Sequence, residues 1–304
     1  MQHIGFGLWN WIAVIVYLVA MLLVGAYFTK RASQDTDSFF KASGRLPSWA
    51  IGFSIYATTL SAITFMSTPE KAFLTDWAYI AGNIAIVAII PILIAFYVPF
   101  FKKLHVTSAY EYLEARFGPS IRLIGSLLFI IFHLGRIAIV IYLPTLAITA
   151  VSDINPYIVA SLVGILCILY TFLGGFEGVV WSDFIQGVIL LGGALLIIII
   201  GAFEIKGGFG TIVHDAIANK KILSADNWKL NSAAAAIPII FLGNIFNNLH
   251  QYTASQDVVQ RYQASESMEE IIMDKWCLST NFSAYFLWHG YDDVFILSAS
   301  RNIA

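Results

Sequence analysis

Apolar residues run along this chain in blocks of about twenty, with polar residues gathered between the blocks rather than alternating through them. The hydrocarbon core of a bilayer is about 30 Å thick, and a helix needs about 20 mostly apolar residues to cross it. Seven stretches are of that order: residues 8 to 28, 47 to 68, 77 to 101, 121 to 149, 157 to 174, 183 to 203 and 233 to 255. Each predicts a transmembrane helix. The expected fold class is therefore an all-α integral membrane protein, whose backbone polar groups are satisfied inside each helix because lipid offers them nothing.

Two of the seven blocks are unlike the rest. The second carries hydroxyls at Ser54, Thr58, Thr59, Ser61, Thr64 and Ser67. Hydroxyls can satisfy carbonyls freed by local unwinding, and unwound backbone at membrane depth survives only where it lines a protein or aqueous cavity. An interruption around Thr58 to Ser61 is one reading; small residues at an ordinary helix contact are the other. The seventh block holds Asn244, Asn247, Asn248, His250 and Gln251. Two polar-interrupted helices separated by four continuous ones match the pattern of inverted-repeat transporters, whose binding sites form at broken helices near the bilayer midplane. Helices two to six would be the first repeat. The seventh would open a second repeat that this chain leaves incomplete.

Composition strengthens the membrane reading. Of the 304 residues, 59% are hydrophobic and 12% charged, and the mean hydropathy is +0.77, more apolar surface than a soluble core can hide. A net charge of −2 gives no reason to expect nucleic acid. Cys167, in an apolar run, and Cys277, near the end, suggest no disulfide framework. No Lys or Arg precedes the first block, whereas Lys30 and Arg31 follow it, as in an uncleaved first helix with its N-terminus outside. Lys30, Arg31, Lys41 and Arg45 after the first helix, and Lys102, Lys103, Arg116 and Arg122 after the third, mark cytoplasmic connections. The loop from Glu204 to Ser232, with Lys206, Lys220, Lys221 and Lys229, runs against this count, although it is longer and partly balanced by acids.

Charges inside the apolar blocks are candidates for function. Arg136 lies near the middle of the fourth helix, where an Arg costs about 2.5 to 3.5 kcal/mol on insertion scales. Its planar fork suits bidentate capture of a carboxylate. No acidic residue shares its helix, so its partner is an acid on another helix or a ligand. His133, three residues earlier, is read as a hydrogen-bonded cavity residue, since no second His, Cys or carboxylate stands at ligand spacing. Asp183 opens the sixth block. It is either a cap for orphan N–H groups or a carboxylate ligand for a hard monovalent cation, Na+, joined by hydroxyl and carbonyl oxygens.

Three stretches together resemble the sodium:solute symporter family: Ser108-Ala-Tyr-Glu-Tyr-Leu-Glu-Ala-Arg-Phe-Gly118, Tyr170 through Gly193 with its core Gly174-Gly-Phe-Glu-Gly-Val-Val-Trp-Ser-Asp-Phe-Ile-Gln-Gly187, and Thr253-Ala-Ser-Gln-Asp-Val-Val-Gln-Arg-Tyr262. Ala57-Thr-Thr-Leu-Ser-Ala-Ile-Thr-Phe-Met-Ser67 and His133-Leu-Gly-Arg136 are most similar to its bacterial sialic acid branch. The resemblance implies a leucine-transporter-like inverted-repeat fold in the bacterial cytoplasmic membrane and sodium-coupled symport of a sialic acid. By position, it implies that Arg136 holds the sugar carboxylate, with Thr59, Ser61 and Thr64 around it. It implies that Ala57 and Leu60 offer backbone carbonyls to a main sodium ion, and that Asp183 serves a second. Tyr79 and Asn83, candidate sugar contacts on the third helix, stand where close relatives can have Phe and Gln, which leaves the preferred sugar open. The family's later helix with sodium-binding hydroxyls is not in this sequence, so neither ion site is expected to be complete.

The resemblance ends near residue 270. Residues 1 to 270 are read as the N-terminal part of a symporter membrane domain and residues 271 to 304 as an aberrant tail without a membrane helix. Back-translated from the second base of each codon, the segment from Ile272 to Cys277 can give Leu-Trp-Thr-Asn-Gly, with Met273 giving Trp and Trp276 giving Gly, similar to the family's own continuation past this position. A reading-frame shift near codon 270 is expected, against a true short variant with a solvated tail; transport by the chain alone is then not expected. The sequence holds no HExxH, paired-Cys, phosphate-loop or Gly-x-Ser-x-Gly motif, so an enzyme is not expected. A channel or a regulatory half-transporter are the other rivals to a carrier.

Overall fold

The computed structural model describes residues 7–59, 62–74, 76–104, 106, 108–152, 154–219, 228 and 236–265, with residues 62–66, 73, 102 and 209 described in backbone alone. Leu60, Ser61 and the whole 271–304 tail lie outside the described residues, as does the side chain of Thr64.

The described chain is nearly all helical. In order it forms α1 (Leu8–Ala32), α2 (Thr36–Lys41), α3 (Ser48–Thr59), α4 (Ala62–Leu74), α5 (Ile80–Ile92), α6 (Val98–Leu104), α7 (Ala109–Phe117), α8 (Pro119–Val151), α9 (Pro156–Glu204), α10 (Gly208–Ala218), α11 (Ile237–Thr253) and α12 (Gln256–Ala264). Pro91 lies inside α5, and the chain widens into a π-helical turn over Leu93–Tyr97 before α6. A proline without an N–H, pressing on the preceding turn, is a common cause of such a change of pitch. Of the stretch from Thr58 to Ser61 read from sequence as an interruption, Thr58 and Thr59 remain helical at the end of α3, and Leu60 and Ser61 lie outside the described residues.

Among the described residues, four stretches are long and apolar enough to cross a membrane: Leu8–Ala32, Trp77–Phe101, Pro119–Val151 and Pro156–Glu204. The most apolar stretch of α8 has no buried residue. Leu128, Ile131 and Leu134 point outward from it, an apolar surface suited to lipid rather than water. At 1.5 Å per residue α9 would be about 74 Å long if straight, over twice a bilayer core. It is broken at Gly175, with φ 55° and ψ −158°. A Cβ there would lie 2.9 Å from the Ala32 Cβ and 3.2 Å from the Phe39 carbonyl oxygen, so both dihedral and space call for glycine. Just before the break α1 and α9 cross in near backbone contact, where a Cβ on Gly25 would come within 2.6 Å of the Tyr170 carbonyl, the small-residue packing that lets membrane helices approach.

This break corrects one sequence reading. Helix resumes directly after Gly175, so the second half of α9 does not open at residue 183. Asp183 stands about two turns inside it. It cannot cap orphan N–H groups there, because those belong to the first turn alone.

The largest core cluster joins Leu46, Ile51 and Ile55 around α3, Ile89 and Leu93 of α5 and its π turn, Val180 of α9, Tyr252 of α11, and Val258 and Val259 of α12. Short α12 is the hub of this end of the bundle, packing on α2, α3, α6, α7 and α11. The described residues contain one β-bridge, parallel between Leu46 and Ser265, and it fastens the end of α12 beside the start of α3.

Candidate functional site

Two opposite charges of the membrane helices meet the last turn of α3. Asp183 approaches from α9: its Oδ2 accepts from the Ser54 hydroxyl at 2.5 Å and from the Thr58 hydroxyl at 3.3 Å. Arg136 approaches from α8: its Nη2 donates to the Thr58 carbonyl at 3.3 Å. Carbonyls in the last turn of a helix have no N–H of their own helix to pair with. Here Thr58 gives its carbonyl to Arg136, and Tyr56 gives its own to the Thr59 hydroxyl at 2.8 Å.

Both charges find their opposites on α12. The Nη2 of Arg261 lies 2.7 Å from Asp183 Oδ2, and its Nε donates to Ser54 Oγ at 2.8 Å. This guanidinium is almost fully buried and its carbon sits 5.7 Å from the centre of the Phe176 ring, within cation–π reach. Four residues earlier, Asp257 Oδ2 lies 3.6 Å from Arg136 Nη1. The open question of what faces Arg136 thus has a protein answer: an acid from another helix. Asp257 also acts on Tyr110 of α7, whose phenol is pushed up to about 12, first by burial and then by that carboxylate.

The remaining candidates are distributed unevenly. Ala57 is half-buried beside Thr58 on α3. Tyr79 and Asn83 sit one turn apart at the entry to α5, beyond the far end of α4, where the Lys71 ammonium lies 4.2 Å from the Tyr79 ring centre. The structure therefore gathers Arg136, Thr58, Thr59 and Asp183 at one turn and leaves Tyr79 with Lys71. His133 is held at Nδ1 by the Phe129 carbonyl at 3.2 Å, and its buried Nε2 has no partner among the described residues. No group of His, Cys, Asp or Glu that could hold a metal occurs among them either. In the seventh block Asn244 and Asn248 donate back to the carbonyls of Ile240 and Asn244, each at 2.8 Å. Two of those five polar side chains thus serve α11 itself, while the buried Gln251 Nε2 has no partner among the described residues.

Sequence reasoning did not single out Asp257 and Arg261, although both stand in the third stretch quoted for the family resemblance. The available signal was an acid and a base four residues apart around a Val-Val pair. That pattern places two charges on one face of a short helix whose other face is buried.

The sodium:solute symporter family is matched over residues 39–289. The sodium/sialic acid symporters SiaT of Proteus mirabilis and NanT of Aliivibrio fischeri are each 47% identical over 270 residues, covering 89% of this chain and 54% and 53% of theirs. The human sodium-coupled monocarboxylate transporter 1 is 28% identical over 95% of this chain and 49% of its own. A solved structure of a Na+-coupled sialic acid symporter in a substrate-bound outward-open state superposes with a TM-score of 0.93 at 42% identity, covering 98% of this chain and 62% of that one. The chain spans about half the length of the curated relatives it matches. With the match covering most of its residues and the fold agreeing, the chain belongs to the sodium:solute symporter family.

Proposed function

We propose that these elements form the ligand-binding part of a sodium-coupled symporter that carries a sialic acid, or a similarly carboxylated sugar, across the bacterial cytoplasmic membrane. The observation that carries this reading is the convergence of Arg136 and Asp183 on Thr58, one on its carbonyl and one on its hydroxyl. A fixed guanidinium at membrane depth suits a carboxylate. An anionic oxygen beside two hydroxyls suits Na+, which takes oxygen donors only. In this reading Arg136 holds the sugar carboxylate, with Thr59, Ser61, Thr64, Tyr79 and Asn83 around the sugar. Ala57 and Leu60 lend carbonyls to one sodium ion, and Asp183 serves a second. The helices from α3 to α9 form one inverted repeat and α11 opens the next, giving about seven membrane helices with the N-terminus outside. Two relatives named as sodium/sialic acid symporters at 47% identity support the substrate class.

Arg136→Lys tests it. Lysine keeps the charge but replaces a planar fork with a point. Sodium-dependent binding of labelled N-acetylneuraminate to the purified chain should weaken about tenfold, roughly one bidentate contact's share. Binding of the sugar's methyl ester should be unchanged. An equal loss for acid and ester would remove Arg136 from the carboxylate. A smaller carboxylate is the second reading, favoured by the match to the human monocarboxylate transporter; competition by lactate but not by other sialic acids would select it.

A further inference from the structure

Helix α12 has nine residues and one charged face, with Asp257 in its first turn and Arg261 in its last. Each side chain is aimed at a membrane-helix charge of the opposite sign. Arg261 covers Asp183 Oδ2 and Ser54 Oγ, at 2.7 and 2.8 Å. Those are two of the three oxygens, with the Thr58 hydroxyl, that the proposed function gives to a sodium ion. A sodium ion and a guanidinium cannot share them, because two cations at that separation repel and the oxygens are already engaged. The Asp257 contact is looser: 3.6 Å from Arg136 is an ion pair without the short donor–acceptor distance of a charge-assisted hydrogen bond. A ligand carboxylate able to engage the fork bidentately would displace it.

We propose that Asp257 and Arg261 are tethered counter-ions: Asp257 holds Arg136 in place of the substrate carboxylate, Arg261 holds Asp183 in place of sodium, and α12 is released when both ligands bind. The inference rests on the reading of Arg136 and Asp183 as ligand groups. It makes α12 a coupling element. Arg261 Nη1 also donates to the Asp257 carbonyl within the same helix, so a move that frees one charge disturbs the other. Sodium arriving at Asp183 expels Arg261 and weakens the hold of Asp257 on Arg136; the sugar then meets a free fork. Linkage requires the reverse as well, with the sugar raising sodium affinity by the same factor. Release of this face does not require unfolding of α12. Buried Val258 and Val259, the Ser48–Ser265 hydroxyl contact at 3.1 Å and the Gln256 hold on the Ala109 N–H at 2.9 Å all anchor it without these charges.

The test uses the full chain in lipid nanodiscs, with 22Na+ and labelled N-acetylneuraminate as probes. Arg261→Gln removes the competing cation and should tighten sodium binding on the order of tenfold, a typical coupling. Arg261→Lys keeps a charge without the fork and should fall between it and the wild type, which keeps the test decisive if the glutamine variant does not fold. Asp257→Asn should tighten sugar binding. In the wild type sodium should raise sugar affinity about tenfold, and the double variant should lose most of that coupling. If the variants leave both affinities unchanged or weaken them while Asp183→Asn removes one component of sodium binding, α12 is a scaffold and the inference is overturned alone. If Asp183→Asn and Arg136→Lys are themselves silent, the ligand reading fails first and takes this one with it.

Discussion

At the scale of single residues, the buried pair between Asp183 and Arg261 sets the largest energies. Side-chain exposures of 16% and 6% leave little water to screen either charge. Removing one partner strands the other, at a typical cost of about 3 to 5 kcal/mol. The two removals should nevertheless differ. In Arg261→Gln the stranded group is an anion that sodium can neutralise, so added sodium should recover stability by roughly RT ln(1 + [Na+]/Kd). In Asp183→Asn the stranded group is a cation that sodium cannot neutralise, so sodium should stabilise this variant less, through the Ala57 and Leu60 site alone. Thermal unfolding of the two variants across a sodium series, with choline replacing sodium to hold ionic strength, reads this directly; equal sodium responses would show that Asp183 does not meet the ion. Arg136 and Asp183 were legible in the sequence because a charge inside an apolar block demands a partner or a ligand. Asp257 and Arg261 were not, since they follow the last apolar block and look there like ordinary solvated charges. Only the fold carries them back against α3, α8 and α9.

At the scale of elements, hydropathy located the helices and missed how two of them join. The run from Gly175 to Ser182, between the fifth and sixth blocks, contains two glycines and an acid, which reads as a loop. In the structure the break is confined to Gly175, and Glu177 is helical and pairs with Arg31 at 2.9 Å at the rim of the bundle. Apolar periodicity cannot distinguish a one-residue break from an eight-residue loop when both leave the flanking blocks intact. Gly175→Ala should cost at least about 1 to 2 kcal/mol from the left-handed backbone alone. A further cost comes from the 2.9 Å approach to Ala32, whose own side chain is buried and cannot swing aside. Denaturant titration followed by far-ultraviolet circular dichroism should show the loss of stability with the helical signal of the folded state kept. Unchanged stability would mean that α9 can cross this point as continuous helix. Gly178→Ala, three residues on and with no atom closer than 3.8 Å to its added carbon, is the matched control.

At the scale of the whole molecule, the sequence conveyed solvent and charge sorting but withheld how one short polar helix gathers α2, α3, α6, α7 and α11. Block lengths are set by bilayer thickness and are written locally. The packing of α12 on five other helices rests on contacts between residues far apart in the chain, such as Ser48 with Ser265, and no local pattern encodes them. The structure does group most of the basic connections that the sequence reading assigns to the cytoplasm, although the lysine-bearing loop from Glu204 to Ser232 still counts against that assignment. The α12 end of the bundle collects the end of α1 with Lys30 and Arg31, α2 with Lys41, the following turn with Arg45, the end of α6 with Lys103, and α7 with Arg116. The opposite end, where Trp11 of α1 meets Ile154 and Ile158 at the start of α9, carries no basic residue in that connection. Short connections rich in Lys and Arg stay on the cytoplasmic side, so the α12 end should face the cytoplasm. Two exposed positions report the two ends: Ser33, just past α1, and Tyr157, in the first turn of α9 and 81% exposed. With Cys167 and Cys277 replaced by serine, Tyr157→Cys should react with a membrane-impermeant maleimide in intact spheroplasts. Ser33→Cys should react only after the membrane is opened. The reverse pattern would invert the protein, put the α12 charges at the outer mouth and require sodium to meet Asp183 from the opposite side of the membrane.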